Sequence, residues 1–120
     1  QNHLDDIIQT ESYRMQDAEI ALISYGVSGR TALAAVDMAR SQGIKAGLLR
    51  LLTVWPFPEA MIRSLAGRVK GFVTVEINLG QIHLEVERCA AGRTPAFLVG
   101  HAGGTLISPQ LVVERIKEAF

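Results

Sequence analysis

The densest group of chemistry-bearing residues is Glu76-Ile77-Asn78-Leu79-Gly80-Gln81. A carboxylate and two amides gather around one glycine, where an apolar run gives way to helical periodicity. A carboxylate buried at a strand end is costly unless paired, and Arg50, on the preceding apolar run, is a candidate ion partner. Two readings stand side by side. Glu76, Asn78, Gly80 and Gln81 form a site or interface, or Asn78 caps a helix while Glu76 sits in a structural ion pair. A second loop, Tyr25-Gly26-Val27-Ser28-Gly29-Arg30, sets Gly26, Ser28 and Gly29 at a strand-to-helix turn. Backbone N–H groups at such a turn can meet an anion. The dinucleotide fingerprint fails because Ser28 stands at its middle glycine, and no Gly-Lys-Ser/Thr follows to make a phosphate loop. Turn geometry alone also accounts for Ser28 and Gly29.

Two further loops carry less. Trp55-Pro56-Phe57-Pro58 places two aromatics on a stiff surface segment. They form either a local lid or a contact patch for a neighbour, since aromatics are enriched at interfaces. Gly100-His101-Ala102-Gly103-Gly104-Thr105 holds a histidine able to titrate near neutral pH. A lone loop histidine is more often solvated than catalytic.

The rest of the sequence removes whole classes of function. His3, His83 and His101 are scattered, with no ligand-like spacing between them, so a metal site is not expected. The single cysteine, Cys89, excludes an internal disulfide, an all-cysteine metal site and an iron–sulfur cluster held by this chain. It falls on a helical apolar stripe and reads as a small core residue. There is no G-x-S-x-G elbow. A phospho-acceptor receiver would need acidic residues where this chain has Tyr25 and Gly26. Twelve basic residues balance twelve acidic ones, for a net charge of +0, so a nucleic-acid partner is not expected. No apolar stretch approaches the roughly 20 residues of a membrane-spanning helix, so neither a membrane partner nor an insertion signal is expected. The expectation is a cytoplasmic domain.

These loops must be held by a scaffold. With 120 residues, 48% hydrophobic and 20% charged, the chain reads as one folded domain. Apolar runs at 20–24, 46–52, 72–77 and 96–99 are continuous rather than alternating, as strands covered on both faces require. Each is followed by an amphipathic stretch. The spacing predicts helices over 29–42, with Ser28 as cap and Gly43 just past the end, and over 58–67, with Pro58 at the first helical position. It predicts two more over 81–91 and from Pro109 to the C-terminus, the last capped by Ser108. The predicted buried stripes are Met61, Ile62 and Leu65; Ile82, Val86 and Cys89; and Val112, Ile116 and Phe120. Residues 1–17 read as an N-terminal helix and connector, with an edge strand possible near 11–15, and 18–120 as the core. Strand–helix alternation predicts a three-layer α/β/α sandwich with a mostly parallel sheet. Ligands of such folds meet the carboxyl ends of the strands.

Taken in order, the segments resemble a known family. Ile23-Ser24-Tyr25-Gly26, Gly29-Arg30 with its alanine-rich helix, Gly43 through Arg50, Trp55-Pro56-Phe57-Pro58 and Val75 through Gln81 resemble the alpha subunit of 2-oxoacid:ferredoxin oxidoreductases. More distantly, Leu49-Arg50 with Pro56, and Glu76 with Gly80, are similar to the transketolase C-terminal domain. The resemblance implies a holoenzyme that oxidatively decarboxylates a 2-oxoacid to an acyl-CoA and CO₂ and passes electrons to ferredoxin. It implies thiamine diphosphate, Mg²⁺ and an iron–sulfur cluster, with CoA as co-substrate. The chain lacks the family's Gly-Asp-Gly diphosphate motif, so those cofactors are expected in other domains or in the beta subunit. The expected role is then a non-catalytic assembly domain. Glu76, Asn78, Gly80 and Gln81 would make contacts, Arg50 would pair with Glu76, and Trp55 and Phe57 would bury against a neighbour. The alternative is a stand-alone domain binding a small anion or nucleotide. The chain opens on Gln1, which we read as the mark of a longer subunit.

Overall fold

The structure is a computed structural model. It describes residues 10–25, 28–52, 57–76, 81–100 and 108–120, with Ser28, Gln81 and Gly100 described by backbone alone. In chain order the elements are β1 (Thr10–Tyr13), β2 (Ile20–Tyr25), α1 (Ser28–Ser41), β3 (Ala46–Leu51), α2 (Glu59–Ala66), β4 (Gly71–Glu76), α3 (Gln81–Ala90), β5 (Ala96–Gly100) and α4 (Pro109–Ala119). The four apolar runs are the four parallel strands, to within a residue at each end.

The five strands form one sheet in the order β1-β3-β2-β4-β5. β2 pairs in parallel with both β3 and β4, and β4 pairs in parallel with β5. β1 runs antiparallel to β3 along one edge, as the 11–15 reading allowed. All six residues of β4 are buried, which follows from a central strand covered on both faces.

The alternation of side chains sorts the core into two layers. On one face Ile20, Leu22, Leu48, Val73, Val75 and Val99 pack against α1 and α4. On the other, Ala21, Ile23, Leu49, Leu51 and Phe72 pack against α2 and α3. The expected three-layer α/β/α sandwich is therefore formed. Alanine suits α1 because Ala32, Ala35 and Ala39, all fully buried, let the helix axis lie close to the sheet.

Several local readings hold and several shift. Gly43, at φ +87°, takes the left-handed position that ends α1. Ser108 accepts a hydrogen bond from the Leu111 N–H at 3.1 Å, with Pro109 at the first turn of α4. Ile82, Val86 and Cys89 are buried along α3 as expected. Ser28 lies inside α1 as its first residue rather than before it. Pro58 occupies the cap position of α2 instead of the first helical one. Met61 is exposed, and Ala66 takes its place in the buried stripe, because an eight-residue helix presents only a narrow face. Phe120 is also exposed. Its ring stacks edge-on against Phe97 at 5.2 Å, while Val113 fills the core position.

The connector from β1 to β2 is fastened by Arg40, at the end of α1. Its guanidinium donates to the Arg14 carbonyl at 2.9 Å, to the Ala46 carbonyl at 2.8 Å and to the Asp17 carboxylate at 2.7 Å. The connector crosses directly over Gly47, where a Cβ would stand 2.8 Å from the Arg14 carbonyl oxygen. The hydrogen bond from Arg40 holds the Asp17 carboxyl below its ordinary range. A depressed carboxyl stabilises the fold above its unfolded value, and that contribution fades as pH falls through its folded value. Replacing Arg40 by alanine removes the side-chain donor from two backbone carbonyls and from the exposed Asp17 carboxylate. We expect Arg40→Ala to lose about 1–3 kcal/mol in urea unfolding at pH 7, with a smaller difference from wild type below pH 3.

Candidate functional site

The polar groups that the two apolar layers cannot satisfy collect at the carboxyl edge of the parallel strands. Glu76 ends β4 and is only 3% exposed. Its Oε2 accepts the His83 N–H at 2.9 Å. His83 is in the first turn of α3, so the carboxylate sits at the positive end of that helix, which offsets part of its desolvation. Glu76 Oε1 is buried with no hydrogen-bond partner among the described residues. His83 Nδ1 is likewise buried and unpartnered, while its Nε2 lies 3.5 Å from Glu87. The Thr74 hydroxyl, on the same face of β4 two residues earlier, is a third buried group without a partner among the described residues.

Arg50 does not meet Glu76. Phe72 shares the α2/α3 layer, and Glu76, four residues on, faces the same way. Leu49 and Leu51 face that layer too, so Arg50 between them faces α1. The sheet separates the two charges, and β2 lies between their strands. The expected ion pair is thus replaced by two separate environments. Arg50 stands in register with Ser24 of β2 and Glu11 of β1. Its Nη1 reaches the exposed Glu11 carboxylate at 3.5 Å, and its Nε is buried without a hydrogen-bond partner among the described residues. A Cβ added at Gly29 would stand 2.7 Å from that Nε, so the guanidinium lies against the first turn of α1. The Ser24 hydroxyl, fully buried beside it, has no partner among the described residues.

The other nominated residues divide as follows. Phe57 is 6% exposed and packs in its own chain's core beside Ile62, Leu65 and Ala66, so it does not wait for a neighbour. It fills the gap left by the short α2. Trp55, Asn78, Gly80 and Gly26 lie outside the described residues. Gln81 is the first residue of α3. Tyr25 and Leu52, at the ends of β2 and β3, are 36% and 41% exposed on this edge. Ser24, Thr74 and His83 were not singled out for this edge from sequence. The signal was present in Ser24 and Thr74, since a hydroxyl inside an apolar run covered on both faces must be buried.

Chemically, one face of the edge gathers the donors of Arg50, engaged among the described residues only by the exposed Glu11 carboxylate, and the other holds an acceptor, Glu76. Among the described residues no group of three His, Cys, Asp or Glu side chains could hold a metal ion. Cys89 is buried, and burial pushes its thiol up, opposed by Arg88.

With this geometry in hand, comparison with known proteins is direct. The family model described as pyruvate:ferredoxin oxidoreductase core domain II matches residues 18–112. The chain belongs to that family. The 2-oxoglutarate synthase subunit KorA of Methanothermobacter marburgensis is 40% identical over 115 residues, covering 96% of this chain and 31% of the relative. The ketoisovalerate oxidoreductase subunit VorB of the same organism is 42% identical over 111 residues, covering 92% and 31%. The chain thus spans about a third of the length of the curated relatives it matches. Among solved structures, a 2-oxoglutarate:ferredoxin oxidoreductase from Magnetococcus marinus aligns with a TM-score of 0.77 at 21% identity, over 98% of this chain and 20% of that one. A split-gene transketolase aligns at 0.80 and 18% identity, over 92% and 41%. These two share the fold, which places the domain among transketolase-like α/β sandwiches.

Glu76→Ala removes the acceptor at the start of α3 and should cost about 1 kcal/mol in denaturant unfolding. Glu76→Gln keeps an oxygen for the His83 N–H without a charge to desolvate, and should leave stability equal or higher. Cys89 should react with a thiol reagent at pH 8 only at the rate of unfolding; rapid modification of the native protein would contradict its burial.

Proposed function

We propose that this chain is an assembly domain, without catalytic residues of its own, in a thiamine-diphosphate-dependent 2-oxoacid:ferredoxin oxidoreductase. The holoenzyme would oxidatively decarboxylate a 2-oxoacid to an acyl-CoA and CO₂ and pass the electrons to ferredoxin. Relatives named as oxidoreductase subunits, of which this chain covers a third, support a multi-subunit setting. The partners would be the other domains of the alpha subunit and the beta subunit.

One observation carries the assembly reading. Glu76 buries a carboxylate oxygen that nothing among the described residues satisfies, on an edge that also exposes Tyr25 and Leu52. An unpaired buried acceptor is costly alone and is relieved by a donor from outside. Apolar surface beside it favours a protein neighbour over solvent. The natural counterpart is a cationic or N–H-bearing side chain of an adjoining domain.

The residues present do not fit the holoenzyme's cofactors. The sequence has no Gly-Asp-Gly segment for a Mg²⁺-bound diphosphate, one cysteine for a cluster, and no metal-holding group of side chains among the described residues. On this reading thiamine diphosphate, Mg²⁺ and the iron–sulfur cluster would be held by other parts of the assembly. No helix of the described residues is long and apolar enough to cross a membrane, and a cytoplasmic setting accompanies this reading.

Hydrogen–deuterium exchange can compare the subunit alone with the assembled enzyme. Protection should appear on assembly at the ends of β2, β3 and β4 and at the first turn of α3. Protection confined to α4 and β5 would place the interface elsewhere. Glu76→Gln should weaken assembly by roughly tenfold or more while the chain stays folded. The isolated chain, given thiamine diphosphate and Mg²⁺, should release no CO₂ from a 2-oxoacid; turnover would overturn the non-catalytic assignment.

A further inference from the structure

The α1 face of the same edge poses the opposite electrostatic problem. A helix N-terminus carries a partial positive charge and unsatisfied N–H groups. An acidic residue there is favourable, yet the first turn of the fourteen-residue α1 has none. Instead a guanidinium lies there. Arg50 Nε lies 2.7 Å from the position a Cβ on Gly29 would take. A cation beside the positive end of a helix is unfavourable.

The strand beside Arg50 adds a third donor. Ile20 and Leu22 of β2 pack with Ala32, Ala35 and Val36 of α1. Ser24 continues that alternation and stands in register with Arg50. Its hydroxyl is fully buried and has no partner among the described residues. Arg50 has no acceptor to offer it. Glu11, 60% exposed, reaches Nη1 at 3.5 Å and leaves Nε unengaged. Exposed pairs of this kind contribute little. Arg50 itself remains 42% exposed, so its outer nitrogens can be approached from solvent.

We propose that the first turn of α1, the Arg50 guanidinium and the Ser24 hydroxyl form a binding site for a phosphate-type anion. Donors converging from a helix, a planar fork and a hydroxyl suit a group with several oxygens and two negative charges. A phosphoryl group meets that description better than a single carboxylate. The site is independent of the assembly reading, which rests on Glu76 across the sheet. The two can fail separately.

Calorimetric titration of the full-length protein, at constant ionic strength, tests it with inorganic phosphate and with glycerol 3-phosphate. Saturable binding of either supports the site. Tighter binding of the ester points to a phosphorylated small molecule, and equal or weaker binding to the free anion. Arg50→Gln should weaken binding by roughly tenfold or more. Gly29→Ala provides a second variant that leaves the fold in place. Its methyl displaces the far end of a flexible side chain, so binding should drop as far as in Arg50→Gln with no fall in Tm. Glu11→Gln should tighten binding about two- to fivefold by removing a competing carboxylate. Absence of saturable binding, equal binding by all variants, or acetate binding as tightly as phosphate would overturn the proposal.

Discussion

Everything in this domain depends on the burial of β2 and β4 on both faces. A parallel strand so placed can carry almost no polar side chain without a partner, because water reaches neither side. The chain meets this with near-continuous apolar runs and with two helices on each face. The backbone hydrogen bonds are absorbed by neighbouring strands. What remains polar is pushed to the ends of the strands, and function is confined there by the same constraint that forms the core.

The sheet also acts as a partition. Glu76 and Arg50 are close in the sequence logic of paired charges, yet side-chain alternation directs them to opposite faces. Each then finds a different helix. Glu76 meets the N-terminus of α3, a favourable arrangement that satisfies one oxygen. Arg50 meets the N-terminus of α1, an unfavourable one. Among the described residues, a carboxylate oxygen without a donor on one face and an Arg50 Nε without an acceptor on the other leave this edge chemically incomplete in two complementary ways.

Magnitudes decide which interactions matter. Exposed pairs such as Arg63–Glu59 and Lys70–Glu19 contribute about 0.2–1 kcal/mol each. A buried polar group left unpaired costs about 1–3 kcal/mol. The unpartnered atoms of Ser24, Thr74 and Glu76 therefore outweigh the surface ion pairs and mark where the domain departs from pure stability. Arg40 is the contrast. Its guanidinium is engaged by two carbonyls and a carboxylate, and it serves the scaffold by tying the connector to the end of α1.

The amino-acid sequence alone determined the layered fold, the four parallel strands, the helix ends at Gly43 and Ser108, and the family. These follow from local periodicity, turn chemistry and motif order, all properties of contiguous residues. It also pointed to Glu76 and Arg50 as residues needing explanation. The tertiary structure decided that they do not pair, that Phe57 fills the domain's own core, and that Ser24, Thr74 and His83 join the edge. Such outcomes depend on which face of the sheet a side chain takes and which helix crosses above it. Apolar runs on both sides of every strand carry no alternation, so the facing of Glu76 and Arg50 is invisible until the strands are laid in register.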